Sequence, residues 1–385
     1  MIEELKQEFI NCFAKMPERI FFCPGRVNLI GEHIDYNGGQ VLPCAISKGT
    51  YLAIGRNTGK RFGFYSMNFP EKAELHLQTS YSKTGSQWYN FPLGVIDHIM
   101  KSGCTVSGLD MLFFGDLPVG AGLSSSASVE VVTAYALNAI FQLGIETKDM
   151  VVFCTKVENE FIGVHCGIMD QFAVAMGKKE KAILLNCDTL AHTYIPFSNK
   201  NYSLIIINTN KPRTLVDSKY NERFAECGKA LTALKSKLNI QNLCDLDPDT
   251  LDANRELISD VILRKRAWHV ITENERVKQA VWALQQNNLV QFGQLMYASH
   301  QSLKENYEVT GEELDTVVEF CKSFDGCIGA RMTGAGFGGC AIALVKKNLA
   351  EDFSSRLISY YAATIGYKPS LFLSGAEDGV REIRF

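Results

Sequence analysis

A chain of 385 residues, 46% of them hydrophobic, can bury more than one core, and two domains are expected, 1–200 and 201–385. A net charge of −3 provides no broad basic field, which argues against nucleic acid as the main partner. The 12 cysteines form no C-x-x-C pair and no Cys/His cluster with zinc spacing, so they read as small core residues in a reducing cytoplasm.

The first twenty residues combine acidic side chains with apolar i, i+3/i+4 spacing, the mark of an amphipathic helix rather than a signal peptide. No apolar run approaches the roughly 18 residues of a membrane span. Strand-like runs fall at Ile20–Cys23, Val41–Ala45, Tyr51–Arg56, Leu109–Phe114 and Ala182–Asn186, with helical patterns at 92–101, 126–142 and 148–162. From Tyr202 the run Ser-Leu-Ile-Ile-Ile-Asn reads as a buried strand. Helical stretches follow at 218–237, 252–286, 289–306 and 311–323, so the second half is richer in helix. A strand at Ala341–Val345, a helix over Leu349–Ile365 and a strand at Pro369–Ser374 close the chain. The domain boundary is placed near residue 200, at the turn-rich Ser-Asn-Lys-Asn.

Four segments carry chemistry. Pro24 to Gly39 holds one cation, two carboxylates, an imidazole and two amides. Val27, Leu29 and Ile30 can anchor it while Glu32, His33 and Asp35 face a cleft. Such acceptors suit a polyhydroxylated ligand, because each takes a hydroxyl proton with good direction; a solvated polar loop is the plainer reading of this stretch alone. Val119 to Ser128 runs into the apolar-periodic Val129–Phe141. Gly120 and Gly122 let the backbone turn its N–H groups inward, and a helix starting near Ser124 to Ser126 adds unpaired N–H groups and a positive dipole end, a phosphate site in the making. Leu123 and Ser124 stand where the Walker pattern needs lysine and Ser/Thr, so any ATP site here is of another class. A serine-capped helix after a glycine turn is the simpler alternative.

In Glu158 to Phe172, Asp170 lies among Ile168, Met169, Phe172 and Ala173 and is expected to be partly desolvated. That is the setting of a general base kept ionised by a cation such as Arg26, or of a structural ion pair or helix cap. Gly329 to Cys340 contains a literal G-x-G-x-x-G, but a helical pattern precedes it and an apolar strand-like run follows, the reverse of a dinucleotide-binding turn. A glycine hairpin that lets backbone approach a phosphate or another chain segment fits better.

Taken together, GRVNLIGEHIDYN from Gly25, VGAGLSSSASVEV from Val119, CGIMDQF from Cys166 and GARMTGAGFGGC from Gly329 resemble the motifs of the GHMP small-molecule kinases. The first is similar to the signature of that family's galactokinase branch, and KPRTLVDSKYNERFAEC from Lys211 extends the similarity, which runs from about Glu18 to the chain end. The resemblance implies an α+β, two-domain GHMP kinase fold. Its N-terminal domain would be like ribosomal protein S5 domain 2, with a left-handed crossover against the usual preference, and its C-terminal domain ferredoxin-like with extra helices. It also implies ATP-dependent phosphorylation of D-galactose at O1, giving α-D-galactose 1-phosphate, at an interface between the domains.

Residue by residue, the resemblance makes Asp170 the group that accepts or orients the O1 proton and Arg26 its electrostatic partner. Glu32, His33, Ile34 and Asp35 would bind the sugar, with Gly167 and Tyr220 closing its pocket. Gly120, Ala121, Gly122, Leu123, Ser124, Ser125 and Ser126 would cradle the phosphates of ATP, Ser66 would be a further nucleotide contact, and Ser126 with Glu158 would hold Mg²⁺. Ile34 stands where many members carry threonine, a departure that bears on substrate choice and not on the reaction. A related kinase of the same family acting on N-acetylgalactosamine or another sugar and a catalytically weak galactose/ATP sensor acting through a protein partner are the rival readings; such sensors can lack the Ser-Ala dipeptide, present here as Ser126-Ala127. The expected protein is a cytoplasmic monomer with a small-molecule substrate and neither nucleic acid nor membrane as partner.

Overall fold

The computed structural model describes residues 1–118, 120–164, 166–197, 201–211 and 216–385, the side chains of 216–218 excepted. The proposed boundary segment and much of the stretch after Lys211 therefore lie outside the described residues. The fold is α+β, built on two antiparallel-rich sheets with helices packed against them.

The first sheet has the spatial order Arg381–Ile383, Arg19–Asn28, Pro43–Arg56, Leu109–Gly115, Arg61–Ser66, Ala73–His76. Every pairing in it is antiparallel except that of Arg61–Ser66 with Leu109–Gly115. The two runs expected at Val41–Ala45 and Tyr51–Arg56 merge into the single strand Pro43–Arg56, because the intervening Gly49 continues the ladder instead of breaking it. A Cβ at Gly49 would lie 2.1 Å from the Cys23 carbonyl oxygen, so only glycine fits there. Opposite it the register slips between Pro24 and Arg26, a bulge that bends the strand just where the cationic side chain leaves it. The N-terminal helix Ile2–Phe13 buries Leu5 and Phe9 against Ile20, Ala53 and Leu112 of this sheet. Helix Ser125–Phe141 and helix Met169–Met176, the second lying outside the helical patterns read from periodicity, pack against this sheet and enter one continuous core.

The second sheet runs Cys327–Thr333, Cys340–Lys346, Tyr202–Asn208, Ser370–Ser374, all antiparallel. The glycines of 334–339 therefore join two strands of a hairpin, and the helical pattern read before them ends at Ser323. The strand Cys327–Thr333 escapes periodicity because it buries an arginine, Arg331, among apolar neighbours. The helical pattern at 148–162 becomes an α-helix Thr147–Lys156 followed by a π-helical turn Val157–Ile162 that stops at Gly163, φ 83°. The pattern at 252–286 divides into Pro248–Ala253 and Val261–Gln285, the second begun by the Asp260 carboxylate accepting from the Ile262 N–H at 2.7 Å. A small third sheet joins Gln40–Val41, Lys181–Asn186 and His192–Pro196. Among the described residues no helix is long and apolar enough to cross a membrane.

Candidate active site

Three of the four chemistry-bearing segments, together with the start of the glycine hairpin, meet around one cavity of 310 Å³. At its floor, the bulge after Pro24 aims Arg26 at Asp170 in the first turn of helix Met169–Met176. The guanidinium grips both carboxylate oxygens, Nε to Oδ1 at 2.9 Å and Nη2 to Oδ2 at 3.0 Å, while Nη1 donates to the Gly122 carbonyl at 2.6 Å. The Arg26 backbone N–H donates to the Leu123 carbonyl at 3.1 Å. One buried arginine thus orients the carboxylate by a bidentate charge-assisted pair and pins the glycine-serine loop beside it. The Asp170 side chain keeps 27% of its surface exposed toward the cavity.

On one wall stand Glu32, His33, Asp35, Gly167 and Tyr220. Glu32 accepts from Asn28 Nδ2 at 2.9 Å and from the Gly334 N–H at 2.7 Å, with Arg331 Nη1 at 3.6 Å. The glycine hairpin therefore serves to bring backbone against another segment: a Cβ on Gly334, at φ 87°, would lie 3.1 Å from the Gly122 carbonyl oxygen. Burial raises the Glu32 carboxyl above its usual range despite Arg331. Burial, the Asp170 charge and the Glu32 charge together push Asp35 up to about 7. Gly167 lies so close to Asp35 that a Cβ there would be 2.4 Å from Oδ2.

His33 has φ 63° and a ring held on both sides. A carbonyl only accepts, so Nε2 carries the proton donated to the Ala335 oxygen at 3.2 Å, and Nδ1 accepts from the Tyr36 hydroxyl at 2.9 Å. Tyr36 in turn accepts from the Tyr307 hydroxyl at 2.8 Å. Burial drives the His33 imidazole down to about 3, so it is neutral at physiological pH. Ile34 turns the other way, fully buried in the core, and Ala121 is likewise a core residue. Neither side chain faces the cavity, whereas the flanking residues do.

The opposite wall is the glycine-serine loop. Gly120, Gly122 and Ser124 all take left-handed backbone, φ 69°, 72° and 63°, and the helix Ser125–Phe141 starts directly after them. The Ser124 hydroxyl is buried without a partner. Ser126 donates to Glu158, which the π-helical turn carries to the same wall and whose carboxyl burial and the Asp170 charge raise. Val119 lies outside the described residues. A neighbouring slot of 180 Å³ is mostly apolar, lined by Phe69, Trp88, Phe113 and Val129, with Ser66, Ser125 and Ser126 at its polar side. Ser66 thus belongs to this slot and not to the main cavity.

The chain matches three family models: the galactokinase galactose-binding signature over residues 7–56, the GHMP kinases N terminal domain over 90–178 and the GHMP kinases C terminal over 280–363. It is 48% identical to the galactokinase of Clostridium tetani, covering 99% of this chain and 98% of that one. It is also 48% identical to that of Lactiplantibacillus plantarum, with 99% of each covered. The chain belongs to the galactokinase family. The solved galactokinase of Lactococcus lactis, complexed with galactose, superposes with a TM-score of 0.96 at 42% identity over 99% of this chain and 100% of that one. A mevalonate kinase structure at 19% identity and TM-score 0.70, over 93% of this chain and 99% of that one, shares the fold alone. The GHMP kinase architecture expected from the four motifs is thereby established. Sequence reasoning passed over other residues of this galactokinase-family site. Glu130 and Gln171 lie buried behind Glu158, and the half-buried Tyr36 and buried Tyr307 stand behind His33. Glu130 and Gln171 stand inside quoted motifs, yet a polar residue on an amphipathic helix reads as surface until its burial is known.

Proposed function

We propose that this member of the family transfers the γ-phosphoryl group of ATP to the anomeric O1 of D-galactose, giving α-D-galactose 1-phosphate and ADP. The observation that carries the reading is the bidentate Arg26–Asp170 pair, placed in one cavity between Glu32 and Asp35 on one side and the glycine-serine loop on the other. Glu32 and Asp35 would accept sugar hydroxyls, His33 would hold the hairpin at Ala335, and Gly167 and Tyr220 would close the pocket. Asp170 would take the O1 proton, or orient O1, as the new O–P bond forms and the bond to the ADP oxygen breaks. Arg26 would neutralise the charge spread over the transferred group.

The N–H groups of residues 120–126 fit the phosphates of ATP, and the apolar slot beside Trp88 and Ser66 fits its base. A serine hydroxyl and a carboxylate, Ser126 and Glu158, are hard oxygen donors of the kind Mg²⁺ takes, and the buried Glu158 carboxylate has no cationic side chain paired to it among the described residues. When bound, Mg²⁺ would supply positive charge to the phosphate oxygens. The free cysteines suit a reducing cytoplasm.

The test is initial-rate turnover with ATP and Mg²⁺ on D-galactose, D-glucose, N-acetylgalactosamine and mevalonate. Turnover selective for D-galactose is expected. Preference for N-acetylgalactosamine would reassign the substrate, and binding of galactose without turnover would point to a sensor.

A further inference from the structure

Behind Glu158 lies a polar group that the reaction as drawn does not use. Glu130, on helix Ser125–Phe141, and Gln171, next to Asp170, are both fully buried. The Gln171 side-chain amide sends one N–H to Glu158 Oε2 at 2.5 Å and the other to Glu130 Oε2 at 3.3 Å. Two oxygens are then left without partners, Oε1 of Glu130 and Oε1 of Gln171. Both are acceptors if Glu130 is ionised, and two buried orphan acceptors, on groups already joined by a hydrogen bond from Gln171 Nε2 to Glu130 Oε2, are costly. Turning the amide over would set its oxygen against two carboxylates, which is worse.

We infer that Glu130 is a positioning residue: through Gln171 it fixes the carboxylate of Glu158 and so sets the affinity of the site for its divalent cation. The inference rests on the assignment of Glu158 as a cation ligand. A neutral Glu130 carries one O–H, and donating it to Gln171 Oε1 satisfies both leftover oxygens with a single proton. The acid and the amide then form a cyclic pair, and the remaining amide N–H is held on Glu158. Burial and the nearby charges of Glu158 and Asp170 favour this neutral form, raising the Glu130 carboxyl well above its usual range. Partners that orient a metal ligand from behind typically contribute about 10–100-fold to metal affinity.

A glutamine at 130 reproduces the neutral acid: its amide donates where the acid O–H did and accepts where Oε2 did. Mn²⁺ affinity of the ADP-bound protein, read from the electron paramagnetic resonance signal of free Mn²⁺, separates the possibilities. Glu130→Gln is expected to bind Mn²⁺ within about 3-fold of the parent, while Glu130→Leu and Gln171→Leu each weaken it about 10–100-fold, the double variant being no worse than either. Galactose affinity measured on the same samples should stay near the parent value, which separates a local effect from loss of fold. Parent-like Mn²⁺ affinity in Glu130→Leu, with Glu158→Gln impaired, overturns the inference. So does a Glu130→Gln variant as weak as Glu130→Leu, since the charge of Glu130 would then be what matters. If Glu158→Gln itself binds Mn²⁺ normally, the ligand assignment fails and the inference fails with it.

Discussion

Arg26 divides its guanidinium between two tasks, holding both oxygens of Asp170 and the carbonyl of Gly122, so the proposed proton acceptor and the proposed phosphate cradle are set by one side chain. An asparagine at 170 keeps the shape but cannot take a proton or balance the guanidinium. Asp170→Asn should lower turnover about 100- to 10,000-fold, the range for a positioned base, with the far-UV circular dichroism unchanged. Turnover near the parent value would limit Asp170 to shaping the pocket. Arg26→Ala should cost at least as much, because it removes charge stabilisation and releases the loop at the same time. If it moved only the galactose KM, Arg26 would be a binding residue instead.

At the level of elements, long periodic helices such as Ser125–Phe141 and Glu312–Ser323 were readable because their apolar spacing reflects the packing that holds them. The four motif segments were readable too, since glycine loops and carboxylate clusters show in local sequence. What local sequence hides is the partner across space. The strand Arg61–Ser66 exists because Leu109–Gly115 lies beside it, and the hairpin glycines matter because Gly334 must reach Glu32 and Gly122. Gly293 is a further case. Within helix Leu289–Ser302 it is an apparent flaw, and Gly→Ala in a helix usually gains up to about 1 kcal/mol. Yet a Cβ there would sit 2.1 Å from the Ile328 carbonyl oxygen, where helix and strand cross at Gly293 and Gly329. A backbone carbonyl cannot swing aside as a flexible side chain can, so overpacking of about 1–3 kcal/mol should win. Gly293→Ala is therefore expected to unfold at lower urea concentration than the parent; equal or greater stability would mean the crossing relaxes at no cost.

Across the whole molecule, the site is a concentration of like charge kept by the rest of the fold. Arg331 lies fully buried between Glu32, 3.6 Å away, and Glu273 of helix Val261–Gln285, 3.9 Å away, tying the cavity wall that carries Glu32 to the second sheet and its helices. No comparable cation offsets Asp35 among the described residues, and its carboxyl is held up to about 7 by burial, Asp170 and Glu32. An unfolded aspartate ionises near pH 3.9. Between about pH 4 and 7 the folded protein therefore holds a proton that the unfolded chain has released, so stability falls progressively across that window and the loss is complete once pH passes about 7. His33 has the opposite sign: folded at about 3 and unfolded near 6.5, its contribution is lost as pH falls. From roughly pH 4 to 6.5 the two neighbours offset each other, and above that window only the cost of ionising Asp35 remains. Asp35→Asn removes that cost. It should make the ligand-free protein more stable than the parent at pH 7.5, by about 1–2 kcal/mol since the residue faces an open cavity, and the advantage should shrink away toward pH 4. The same variant should bind galactose more weakly, an acceptor having become an amide. Urea unfolding at pH 4, 5.5 and 7.5 decides it, for a difference that did not grow with pH would mean Asp35 keeps an ordinary carboxyl in the folded protein.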